Sequence, residues 1–178
     1  MATHTDAELV AASRDLSYEF QMLAATAARL RAGAKVNKLV SDDEQVTLNV
    51  LIEAFLVHAR NLVVFLHWRE PKHDHGVRAR HFVAGWTAQT PQASWVSALY
   101  TSVSARIVHL SYERSAVDPS LVEWPFREIA EAIQVELSRF IRLVPKHLLD
   151  PTCLPTVEPV YSNFDPSWPR GATGALRR

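Results

Sequence analysis

From Glu53 to Trp68 the chain reads EAFLVHARNLVVFLHW, apolar on almost every side yet interrupted by polar groups at a fixed interval. Glu53, Arg60 and His67 follow one another at seven-residue spacing, so on a helix they share one side. A helix apolar around most of its circumference has to be surrounded by other elements. A guanidinium is costly to desolvate there unless it is paired or stands at a wet cleft. The stripe is therefore either a buried ion pair or a site. Its charges also divide the apolar run into pieces too short for a bilayer, so no membrane span is expected.

What surrounds that segment reads as helix. Only five glycines occur in 178 residues, and strict apolar/polar alternation is absent. Thr5-Asp6-Ala7-Glu8 is a capping-box pattern that opens a first helix over about 6–31, before Gly33. Leu9, Leu16, Phe20, Leu23, Ala27 and Leu30 form its apolar stripe. Ser41-Asp42-Asp43-Glu44 is a second capping box and opens a helix that reaches about Trp68. Pro71, Asp74 and Gly76 mark a loop, and 77–83 reads as a short helix. A third long helix is expected from about Pro91 to Arg114, ended by Asp118-Pro119, with Trp95, Leu99, Val103, Ile107 and Leu110 on its core face. Pro125 suits the first turn of a fourth, which carries Ile129, Ile133, Leu137, Phe140 and Ile141 and runs to about Val144. Six of the ten prolines fall between Pro145 and Pro169, which forbids regular helix there. The expected fold is all-α: an up-and-down four-helix bundle over 1–148 with a short extra helix, followed by a Pro-rich irregular tail over 149–178.

Lys plus Arg (19) equal Asp plus Glu (19), which argues against nucleic-acid binding through bulk charge, and no DNA partner is expected. The single cysteine, Cys153, excludes an internal disulfide and a cysteine zinc cluster, and fits a cytoplasmic setting. The N-terminus lacks the basic-then-apolar pattern of a signal peptide.

Arg60 and His67 carry the chemistry of interest. An imidazole titrates near neutrality and can act as acid or base. A guanidinium can clamp phosphate oxygens and stabilise charge that develops on them. RNA brings its own nucleophile, the ribose 2'-hydroxyl, so these two groups would suffice for cleavage without metal or cofactor. The competing reading is structural: Arg60 pairs with a carboxylate of a neighbouring helix and His67 fills a helix end.

An Arg, then Asn61, then a His after six intervening residues, on a buried helix of a four-helix bundle, resembles the signature of the HEPN superfamily. The segments EAFLVHARNLVVF and ARIVHLSYER are also similar to a group of uncharacterised bacterial proteins of that type, although Val63 and Val64 stand where that group has an acidic residue. The resemblance implies a homodimer whose two signatures meet in one cleft. It further implies either a metal-independent ribonuclease, or RNA- or nucleotide-binding protein, or a non-catalytic dimerising scaffold or regulatory module. On the ribonuclease reading Arg60 holds the phosphate and His67 is the acid/base, with Asn61, Glu53 and His109 in support, and the product ends are 2',3'-cyclic phosphates.

Other clusters read more simply. Arg106, His109 and Glu113 line one edge of the third helix and form either a solvated ladder or a face toward the Arg60 stripe. His73, Asp74, His75 and His81 match no ligand spacing for a metal, and a solvated His-rich loop accounts for them. His58 lies off the Arg60/His67 line, as a core or interface histidine would. Trp86, Trp95, Trp124 and Trp168 could stack bases, but packing explains them as well.

Overall fold

The computed structural model describes residues 4–33, 41–67, 76–89 and 126–152. The described chain is helical and contains no strand: α1 (Asp6–Gly33), α2 (Asp42–His67), the single-turn α3 (Ala79–Phe82), α4 (Phe126–Leu143) and a 3-10 turn, η1 (Lys146–Leu148). The expected third long helix over 91–114 and the tail beyond 152 lie outside the described residues.

Both capping boxes form as their sequences demand. The Thr5 backbone N–H donates to Glu8 Oε2 (2.7 Å) and the Glu8 N–H returns to Thr5 Oγ1 (3.3 Å). At α2 the Ser41 N–H donates to Glu44 Oε2 (2.9 Å) and the Glu44 N–H to Ser41 Oγ (3.3 Å). These bonds satisfy N–H groups that a helix start leaves open. In each box the carboxylate accepts the backbone N–H, and also the hydroxyl, of the capping residue, which holds the Glu8 and Glu44 pKa values below the ordinary carboxylate range.

The α1 stripe read from the sequence is buried along its whole length, from Leu9 to Leu30. It lies along α2, and α4 packs against both. The buried side of α2 consists of Ile52, Phe55, Leu56, Ala59, Leu62, Val63, Phe65 and Leu66. By length and composition alone α2 could cross a membrane; here these side chains form the centre of the core. Phe140 of α4 is fully buried and makes T-shaped ring contacts with Phe65 (5.1 Å between centroids), Phe82 (5.6 Å) and Trp86 (5.6 Å). Phe55 and Phe126 make a second edge-to-face pair at 5.0 Å.

Two connections position side chains discussed below. After α3 the chain turns through Gly85, whose φ of 73° is in the left-handed region where an L side chain is strained. That turn, closed by the Trp86 N–H on the Val83 carbonyl (3.0 Å), presents Trp86 to the end of α2. After α4, Pro145 lacks the N–H needed to continue the helix. The chain passes through η1 and buries Leu148, Leu149 and Asp150. Packing thus continues past residue 148.

Asp150 is the anchor of this segment. Its backbone N–H donates to Ser13 Oγ of α1 (2.8 Å), and its Oδ2 accepts from Arg14 Nε (2.5 Å). Its Oδ1 accepts from the Thr152 hydroxyl (2.5 Å) and the Thr152 backbone N–H (2.8 Å). The Thr152 hydroxyl, then Arg14 and the Thr152 amide, favour the charged form and hold the carboxyl at about 2, against an ordinary 3.8. The stabilisation is complete above the ordinary value and is lost as the pH falls through about 2. Asp150→Asn is expected to flatten this part of the acid limb. Thermal melts between about pH 5 and 2 check it, and a wild type and variant that differ equally at every pH would refute it.

Candidate functional site

The polar line of α2 is not uniformly placed. An α-helix falls short of two full turns in seven residues, so each step of the line rotates by about 20°. In α2 that rotation carries successive members toward the buried stripe. Glu53 and Arg60 are accordingly half-buried, whereas His67, at the last position, is only 8% exposed.

Arg60 and Asn61 belong to a network that ties α2 to α1. Arg60 Nη1 donates to Asn61 Oδ1 (3.4 Å), and Asn61 Nδ2 donates to Glu19 Oε1 of α1 (3.1 Å). The other oxygen of Glu19 meets His58 Nδ1 at 2.7 Å. The ring of Tyr18 stands edge-on to His58, 5.8 Å away. One carboxylate thus organises His58 and Asn61, three residues apart on the same edge of α2. His58 is an interface histidine, as its position off the Arg60 line suggests. Glu19 was not among the residues singled out by sequence. It lies next to Phe20 at the border of the α1 stripe, and nothing local reveals which helix that border meets. Glu53, one of the carboxylates considered as a partner for Arg60, makes no hydrogen bond or ion pair with it among the described residues.

His67 stands in a different environment, toward α4. Burial disfavours its charged form and lowers its pKa below the ordinary 6.5, while the nearby Glu136 carboxylate pulls it partly back. The imidazole is neutral at neutral pH. Glu136 is only 1% exposed and is fully engaged. Its Oε1 accepts the Gln89 backbone N–H (2.7 Å), and its Oε2 accepts Arg139 Nε (3.2 Å) and Nη2 (3.1 Å). Arg139 in turn donates to the Thr87 carbonyl and lies over the Trp86 ring, 3.9 Å from its centroid. The sequence did carry a signal for Glu136: it stands three residues after Ile133 and four before Phe140, a core position in the α4 stripe.

Among the described residues no hydrogen bond joins Arg60 to His67; one is tied through Asn61 to α1, the other faces α4. His109, with Arg106 and Glu113, lies outside the described residues, as do His73, Asp74 and His75. His81 accepts the Arg78 N–H on Nδ1 (3.2 Å) and its ring lies 4.6 Å from that of His4. No group of three or more His, Cys, Asp or Glu among the described residues is placed to hold a metal ion. No family model matches the chain, and no curated protein or solved structure is significantly similar to it.

Proposed function

We propose that this chain is a non-catalytic, HEPN-like helical module, a dimerising scaffold or regulatory protein in which the polar residues of α2 specify helix packing. The observation that carries this reading is the engagement of those residues within the fold. Glu19 holds both His58 and Asn61, Arg60 is bound to Asn61, and His67 is buried beside Glu136. A pair meant to grip one phosphate would need Arg60 and His67 directed at a common solvent-filled space. In the proposed bundle, 91–114 supplies the remaining long helix of an up-and-down arrangement.

The ribonuclease reading keeps one specific support. A neutral imidazole beside a carboxylate is in the right protonation state to act as a general base. Arg60 would then bind the phosphate of RNA or a nucleotide, with the second signature supplied by a partner copy. Purified wild type, Arg60→Ala and His67→Ala, incubated with mixed RNA in EDTA, separate the two readings. The module reading expects equal background in all three. Cleavage by wild type to 2',3'-cyclic phosphate ends, reduced about 100-fold or more in both variants, would overturn it.

A further inference from the structure

Residues 83–89 cross the end of α2 and are fastened at three points. The Trp86 indole N–H donates to the Leu66 carbonyl (2.8 Å), the Thr87 carbonyl accepts from Arg139, and the Gln89 N–H donates to Glu136 (2.7 Å). Two of these points depend on the Glu136–Arg139 pair of α4, and the third is on the residue that precedes His67. Trp86 further packs against the Arg139 guanidinium and, at a right angle, against the Phe140 ring. His67 is thus a buried titratable group that follows Leu66 at the end of α2 and lies near the Glu136 carboxylate that holds Gln89, and its ring makes no hydrogen bond among the described residues.

We propose that residues 83–89 form a latch over the end of α2 that acid releases through His67. Among the described residues the charged groups at the junction are Glu136 and Arg139, both from α4, and they pair with each other. A proton on His67 adds a cation that competes with Arg139 and the Gln89 N–H for the same carboxylate. It also needs more hydration than a side chain only 8% exposed receives in the closed junction. Lifting the latch supplies that hydration without unfolding the helices. Since the closed form resists protonation and the open form does not, each proton bound favours opening. The closed latch is most stable above about pH 6.5 and weakens as the pH falls below it.

Amide hydrogen exchange on the full chain, corrected for intrinsic rates, tests this. In wild type the Gln89 amide is expected to lose protection by up to about tenfold between about pH 7.5 and 5.5, while the Val144 amide, bonded to the Phe140 carbonyl at the end of α4, keeps its own. His67→Gln is expected to abolish the pH dependence at Gln89. The His67 ring, followed by NMR in wild type, should titrate over the range in which Gln89 opens, which tests the mechanism even if the variant fails to fold. Protection that is flat in wild type, unchanged in slope in the variant, or lost at Val144 in parallel would overturn the latch.

Discussion

Glu136→Ala is expected to destabilise the protein by about 3–5 kcal/mol, read as a lower denaturant midpoint at unchanged slope. The cost does not measure how favourable the pair is. A buried ion pair roughly balances desolvation against attraction, but removing one partner leaves the other desolvated and unmatched. Here the stranded groups are the Arg139 guanidinium, whose side chain is 19% exposed, and the Gln89 N–H. Glu136→Gln keeps an acceptor for that N–H and should lose less, about 1.5–3 kcal/mol. Combining Glu136→Ala with Arg139→Met should recover part of the loss. A Glu136→Ala cost below about 1 kcal/mol would mean that the pair is hydrated and the junction open.

Phe140→Ala is expected to cost a similar amount, about 3–5 kcal/mol, for a different reason. The ring is fully buried and is the meeting point of Phe65, Phe82 and Trp86, which come from α2, α3 and the segment after it. Truncation removes apolar contact and leaves a cavity that three separately anchored rings cannot all move to fill. Phe140→Leu retains much of the volume and should lose markedly less. Because Trp86 packs against Phe140, Phe140→Ala should also expose Gln89 to exchange at neutral pH, without involving His67. Equal stability of Phe140→Ala and wild type would show that the cluster is not part of the cooperative core.

These two residues illustrate how unevenly the molecule is written in its sequence. Phe140 was visible, since it falls on a 3.6-residue stripe with Ile133 and Leu137. Glu136 falls on that same stripe, but a carboxylate at a core position announces a partner without naming it. Its partners come from the next turn of its own helix and from a loop more than forty residues away. The α2 line shows the same division. Seven-residue spacing relates Glu53, Arg60 and His67 along α2, but spacing alone does not say how deeply each is buried or which neighbour it meets. Of the two carboxylates expected near Arg60, Glu113 lies outside the described residues and Glu53 does not pair with it; Glu19, which spacing did not point to, reaches it through Asn61 from the opposite side of the α1–α2 seam.

Periodicity, capping boxes and proline placement determined by themselves that the described residues are helical and, to within a residue or two, where α1, α2 and α4 lie. Those signals are local: a cap acts within one turn, and an apolar stripe needs only its own helix to be recognised. Which carboxylate meets which imidazole, how 83–89 is tied over α2, and why Asp150 is held charged were decided only when helices distant in sequence packed together. Polar pairing depends on ångström-scale positions across an interface, and hydrophobic pattern constrains the faces that meet without setting those positions.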